Sequence, residues 1–552
     1  MYSYLLNTDN FTLQSIFQPN GGNYYRPVLI VSYMMDKYVW GLEESFMHLE
    51  NIIFHLFNTL LVFAIARKAA KLQGLRLGVA PLAAALFFAI HPLNTEVVAW
   101  VAGRTDLLAG FFIFLSVWLL LRQSSRFAIS ILAASCMLIA CLAKETAIFF
   151  LPAAMLLPFF IPETENAKVP LRLTILRNVP HLLIFSLSGA AYFAFRSGAF
   201  TRSDAGVSQV LSHVGGEKSA GLLPVLSLTF KAAGFYLKKL FLPFPLNFGI
   251  THVSELYLPV GILLLVFLLW LLTRRSLPSY FFLCAAAVGS SALLVPLLKV
   301  TWTPLAERYM YIPSAFFITG LTFALQRWGK LEQYKGLIIG MSCAVALVFA
   351  YGTVSRTILW QDNLALYQDT LRKSPDFVPA QNEIANALFA KGRNREATAI
   401  LAALKLPEGL INSQYGMVSK SAAAANSGDF VQARLLLTQV QKNPGKQEVD
   451  ILLRLLKLHD LEVNAGLSAA AEAYPERIRL LTRLLALTGD PFYLYRLGVV
   501  HLAQQERGLA LAAFRKAAAL APADAYYRRP ARQLSAALAA KPDRSPAGGE
   551  KL

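Results

Sequence analysis

Eight ionisable side chains interrupt otherwise apolar sequence in three short places. The run HPLNTEVVAWVAGRTDLL crowds His91, Glu96, Arg104 and Asp106 into one turn. CLAKETAI sets Lys144 and Glu145 between two apolar runs, and LAERYMYIPS sets Glu307 and Arg308 at the start of another. Charge at membrane depth is costly, so each group asks for a partner or a task. Taken singly, each reads as an interfacial cap or a local ion pair, such as Arg104 with Asp106 or Glu96. Taken together, cations facing a common cavity suit the phosphate of a lipid head group. A carboxylate beside them could accept a proton from an attacking hydroxyl. His55 and Asn58, three residues apart, read as interhelical hydrogen-bonding groups. The sequence has no phosphate-cradling glycine loop, no zinc-type ligand spacing and no Ser/His/Asp signature, which disfavours a nucleotide-driven pump or a zinc protease.

The elements that carry these groups are membrane spans. Of 552 residues, 56% are hydrophobic and only 15% charged, well below the charged share of a soluble domain. The net charge of +19 comes in good part from short loops, where the positive-inside bias puts cations, so nucleic acid is not the expected partner. A span needs about 20 apolar residues. Such runs fall near 47–66, 78–93, 107–121, 127–143, 146–162, 178–195, 256–273, 280–298, 305–325 and 335–355. Placing Arg67, Lys68 and Lys71, Arg122 and Arg126, Arg172 and Arg177, Arg274 and Arg275, and Arg327 all on the cytoplasmic side fixes the parity. It requires that 1–46 begin outside and that 222–243 not cross. In 222–243, Ser227, Lys231, Gly234 and Lys238 form a polar stripe, as in a helix lying in the interface. The four cysteines, Cys136, Cys141, Cys284 and Cys343, lie in apolar segments and read as small buried hydrophobes.

Beyond 356 the sequence becomes Ala/Leu-rich with Gly and Pro punctuation. In 491–524, Leu494, Leu497, Gly498, His501, Ala510, Phe514, Ala517 and Pro522 match the tetratricopeptide pattern. A second copy carries Ile384, Ala385, Gly392, Ala397 and Leu401, and a weaker third carries Gly428, Ala433 and Leu437. Segment 446–490 reads as helical without a clear register, and 541–552 as a disordered tail. The expected fold is therefore all-α. External residues 1–46 precede a multi-spanning membrane domain over 47–356 and a tetratricopeptide-repeat α-solenoid over 357–540.

The runs YRPVLIVSYMMDKYVWGLEESFMHLENIIFHLFNTLLVF, FAIHPLNTEVVAWVAGRTDLL, LAKETAIFFLP and AERYMYIPS, followed by such repeats, resemble the transmembrane and tetratricopeptide-repeat O-mannosyltransferases and their bacterial relatives. The resemblance implies a GT-C glycosyltransferase fold. It implies a polyprenyl-phosphate sugar as donor, used at the external face without nucleotide, and a protein acceptor presented by the repeats; no motif in the sequence requires a divalent metal. On that footing Glu96 and Asp106 are catalytic candidates, with Asp9 near the site. Arg308, Arg104 and Lys144 would hold the donor phosphate, and His91, Glu145 and Glu307 would support them. The family begins with a further span and an acidic pair ahead of the stretch that YSYLLNTDN resembles, so this sequence is expected to start inside the first external loop. The expected location is a bacterial inner membrane with the repeats in the periplasm. Two other readings stay open: an inert membrane-anchored repeat scaffold for envelope assembly, and a lipid or sugar carrier.

Overall fold

The computed structural model describes residues 15–17, 24–41, 43–75, 78–122, 126–161, 171–200, 222–298, 303, 305–328, 333–390, 393, 395–396, 399–400, 414–426, 428–442, 448–466, 470–521 and 525–540. The chain is all-α, and among the described residues the only β pairing is an isolated bridge between Ile250 and Leu305. It divides into two compact units, one running to Glu383 and one from Ile384.

The first unit is a membrane domain. Among its described residues five helices are long and apolar enough to cross a membrane: Glu44–Leu72, Val101–Leu120, Arg172–Gly198, Leu277–Leu294 and Lys335–Leu359. The pair Ala80–Ala89 and Pro92–Ala99, bent by 44°, forms a sixth if counted as one broken span. In chain order the helices are α1 (Pro27–Trp40), α2 (Glu44–Leu72), α3 (Ala80–Ala89), α4 (Thr95–Ala99), α5 (Arg104–Leu120), α6 (Arg126–Ala143), α7 (Leu151–Leu156), α8 (Leu171–Phe200), α9 (Leu222–Phe241), α10 (Tyr257–Thr273), α11 (Leu277–Leu298), α12 (Tyr311–Gln326) and α13 (Lys335–Leu359). Two further helices, α14 (Asn363–Lys373) and α15 (Val378–Ala390), close the list. Every apolar run of the sequence holds helix.

The core lies where α3, α5, α11 and α12 meet. Phe316 stacks on Phe150 with ring centroids 5.4 Å apart and meets Phe114 edge-on at 5.5 Å. His55 and Asn58 on α2 both bond the Tyr311 hydroxyl, at 2.9 and 3.0 Å, and so tie α2 to α12 as expected of interhelical polar groups. Cys136, Cys141 and Cys284 are buried, whereas Cys343 on α13 is exposed; α13 turns most of its apolar surface outward, with Leu347 72% exposed. The helix α9 is not among those apolar enough to span. Its polar stripe is partnered: Lys231 pairs with Glu255 at 2.7 Å, and Lys238 donates to the Phe244 carbonyl.

The motif charges all fall at breaks between helices or in the first turn after one. Short 3-10 turns occupy Pro92–Asn94, Val101–Gly103, Glu145–Phe150 and Glu307–Met310. Such turns free backbone groups that a membrane interior cannot hydrate, so side chains must satisfy them. His91 does this at its own turn, accepting from the Leu93 amide at 3.3 Å while its other ring nitrogen meets the Leu240 carbonyl. Gly103 shows how tight the packing is: a Cβ there would sit 2.2 Å from the Val97 carbonyl oxygen.

The second unit continues with α16 (Gln414–Asn426), α17 (Phe430–Gln441), α18 (Glu448–Asn464), α19 (Ala470–Thr488), α20 (Pro491–Ala503), α21 (Arg507–Leu520) and α22 (Arg528–Ala540), each packing on the next. These are helical repeats. At Gly498 an added Cβ would meet the Phe514 ring at 2.7 Å, so the large residue of α21 fills the notch that glycine leaves in α20. The described residues of segment 446–490, unregistered in the sequence, hold the α18 and α19 pair, with Leu455, Leu481 and Leu484 in the core. Gly392, Ala397, Leu401 and Pro522 of the repeat signatures lie outside the described residues.

Candidate functional site

The seven charged motif residues do not form ion pairs within their own turns. Each pairs across to another element. Arg308 donates to Glu96 at 2.6 Å, and its backbone amide reaches the second Glu96 oxygen at 3.1 Å. Lys144 meets Asp106 at 2.6 Å. Glu145 takes a two-pronged grip from Arg26, at 2.5 and 2.8 Å. Glu307 pairs with Lys239 at 2.6 Å and accepts from the Asn247 amide at 2.8 Å. The local pairing of Arg104 with Asp106 or Glu96 is not formed.

Three of these pairs form one cluster. The Arg308 guanidinium lies 4.9 Å from the Tyr309 ring centre and 5.3 Å from that of Trp100, and the Lys144 ammonium lies 5.8 Å from the Tyr309 ring. Such placements are attractive, because the ring face is electron-rich. Asp106 is within electrostatic reach of both Arg26 and Arg308, and Tyr24 of Arg26, Glu145, Tyr309 and Arg308. The hydroxyl of Thr303 accepts from Arg308, and the Tyr309 hydroxyl donates to the Thr303 carbonyl at 3.2 Å. Three cations therefore face three carboxylates, drawn from the stretches around residues 26, 100, 144 and 308.

Accessibility grades the pairs. The Glu96 side chain is 2% exposed and Asp106 7%, whereas Glu145 is 26% exposed. Arg26 is therefore the opening of the cluster. Burial opposes its charge, but the adjacent Glu145 carboxylate more than offsets that, so its pKa lies above the usual arginine value. Burial raises the Tyr24 hydroxyl.

Arg104 stands apart from the cluster. It is fully buried, and its fork is occupied by Asp36, Glu50 at 3.0 Å, the Asn51 side chain at 3.2 Å and the Met47 carbonyl at 3.0 Å. The phosphate role expected of Arg104 does not fit these surroundings. Asn51 in turn donates to the carbonyls of Val98 and Trp100, at 3.3 and 3.0 Å. Arg104 thus holds the turn that presents Glu96 and Trp100. Asp9 lies outside the described residues.

Sequence reasoning missed Arg26, Asp36, Glu50, Lys239, Thr303 and Tyr309. Arg26 carried a signal, because a lone arginine ahead of the apolar PVLIV run needs an acid. Lys239 did not, since it reads like the neighbouring interfacial Lys238. Among the described residues, no three His, Cys, Asp or Glu side chains gather as metal ligands would.

No protein-family model matches the chain, and no solved structure does. Curated proteins do. The chain is 37% identical over 127 residues to protein O-mannosyl-transferase Tmtc1 of Drosophila melanogaster, covering 22% of this chain and 14% of that protein. It is 22% identical over 408 residues to protein O-mannosyl-transferase TMTC3 of Mus musculus, covering 66% and 42%. With protein O-mannosyl-transferase F38B6.6 of Caenorhabditis elegans it is 22% identical over 397 residues, covering 70% and 54%. The chain spans about half the length of these relatives or less. By its motifs and by these matches, the chain is similar to the TMTC protein O-mannosyl-transferases, and it is a membrane protein.

Proposed function

We propose that this chain is a membrane glycosyltransferase that moves a sugar from a polyprenyl-phosphate donor to a protein hydroxyl on the face opposite the basic loops. The observation that supports it best is the gathering of Arg26, Lys144 and Arg308, from separate parts of the chain, around the adjoining Tyr24 and Tyr309: Arg26 lies 4.3 Å from the Tyr24 ring centre, and the other two lie over Tyr309. The acceptor oxygen attacks the anomeric carbon as its bond to phosphate breaks, with inversion. The lipid phosphate leaves with the electron pair, and Arg308 and Lys144 stabilise its charge. The hydroxyl proton goes to a carboxylate, with Glu96 and Asp106 as the candidates among the described residues and Asp9 as a further candidate from the sequence. Glu145, Glu307 and His91 position the cluster. The repeats present the protein acceptor, the lipid bilayer and the polyprenyl-linked sugar are the other partners, and no motif requires a divalent metal. In a bacterial host the site and the repeats lie in the periplasm.

Transfer of radiolabelled sugar from a polyprenyl-phosphate donor into protein is expected from the native chain and is expected to fall at least about a hundredfold in Arg308→Ala. Equal transfer by both would overturn the role of Arg308.

One observation favours a second reading, an inert scaffold that recruits partners through its repeats. Every cation of the cluster is already matched by one carboxylate, so the cluster carries no surplus positive charge. The scaffold predicts that neutralising a pair on both sides, as in Arg308→Met with Glu96→Gln, leaves function intact.

A further inference from the structure

Outside the cluster lies a fully buried arginine shared by two carboxylates. Asp36 on α1 and Glu50 on α2 meet the same nitrogen of Arg104, Nη1. Asp36 is 1% exposed, and its second oxygen, Oδ1, is buried without a hydrogen-bond partner. Glu50 is 25% exposed on its side chain and accepts from the Trp40 indole at 2.9 Å. Two carboxylates on one guanidinium leave a surplus negative charge beside the buried Asp36, and a proton held between them removes it. The groups that face Asp36 are Arg104 from α5, Glu50 from α2 and, on its own helix, Tyr33, whose ring lies 5.2 Å from the Arg104 guanidinium. Arg26, just ahead of α1, acts on Tyr33.

We propose that Asp36 is a positioning residue, holding with Glu50 one shared proton that keeps Arg104, and through it the Trp100 turn against Arg308, in place. The path is continuous in the structure. Arg104 bonds Asn51, Asn51 bonds the Trp100 carbonyl, and the Trp100 ring faces the Arg308 guanidinium. With the proton bound, both carboxyls stay on Arg104. Without it, Glu50, the open partner, moves toward water and releases Trp40 and Arg104. Burial first, then the neighbouring Glu50 carboxyl, push the Asp36 carboxyl up to about 7 against the pull of Arg104. A carboxyl raised in the folded protein binds more protons there than in the unfolded chain. Stability is therefore lost as pH rises from the ordinary aspartate range through about 7.

The role in transfer rests on the glycosyltransferase reading; the shared proton does not. The purified full chain in detergent is expected to lose thermal stability between pH 6 and pH 8.5. Asp36→Asn, which keeps the hydrogen bond and removes the titration, is expected to be flat over that range. With a polyprenyl-phosphate sugar as donor, the native KM is expected to rise about fivefold over the same range while that of Asp36→Asn stays constant; one pKa unit corresponds to a factor of about ten. Parallel thermal profiles for the native chain and Asp36→Asn would overturn the shared proton. A flattened thermal profile with no change in the KM profile would overturn the positioning role alone. Absence of transfer by every form, with the thermal difference present, would overturn the glycosyltransferase reading and leave the proton in place.

Discussion

At the scale of single residues, the membrane domain obeys a strict rule of pairing. Lys239 is 3% exposed and Glu307 equally so. Lys239 also bonds the Pro243 and Pro245 carbonyls, and Glu307 caps the Asn247 amide. Removing one member of such a pair strands a charge at a cost of about 3–5 kcal/mol, whereas replacing both with uncharged groups costs far less. Lys239→Met is therefore expected to lower stability by about that amount, and adding Glu307→Gln to recover most of it. Thermal unfolding in detergent reads both. An additive second loss would mean that the pair does not hold the loop. Lys239 shows where legibility ends at this scale. The motif acids announce themselves by standing in apolar sequence, but their partners come from 68 residues away for Glu307 and 119 for Glu145. No local pattern specifies a partner at that distance.

At the scale of elements, the helices were readable because spans are long apolar runs, and the breaks were readable because Pro, Gly and charge cluster there. Which breaks meet was not. The Val101–Gly103 turn returns onto α4 so closely that only glycine fits at 103, with Val97 directly beneath. That approach sets the height of Trp100 against Arg308 and of Arg104 against Asn51. Gly103→Ala is expected to destabilise the domain by more than about 1 kcal/mol, since overpacking against backbone leaves nothing to move aside. Gly340→Ala, at a helix-interior glycine where an added methyl meets nothing within 4 Å, is expected to stabilise by up to about 1 kcal/mol. Comparing the two by thermal unfolding separates close approach from helix propensity, because propensity alone favours alanine at both positions. In the repeats the same logic was legible in advance: Gly498 and Phe514 sit at signature spacing and meet as that spacing implies. The α18 and α19 pair was not, because its leucines are spread too evenly to choose a register.

At the scale of the molecule, the three helices that frame the site are each polarised along their length. Arg104 and Asp106 open α5, and Arg122 follows its far end. Lys144 follows α6, and Arg126 begins it. Arg308 precedes α12, and Arg327 caps its other end. At about 1.5 Å per residue, the 17 residues of α5 put the acid-bearing and the basic ends roughly a bilayer core apart. The two sets of charge differ in kind. Those at the site end are buried and paired, as functional groups at membrane depth must be. Those at the other end lie in short loops between apolar helices, as topology-setting cations do. Cations locked in buried pairs contribute little to that bias, so the basic loops decide which way the domain inserts. In a bacterial host, a phosphatase reporter fused after Arg275, between α10 and α11, is expected to be inactive, and one inserted at Ser254, before α10, active. Reversal of both would put the candidate site in the cytoplasm, where a nucleotide sugar is at hand and a lipid-linked donor has no advantage. The motif similarity would survive that result; the proposed donor would not.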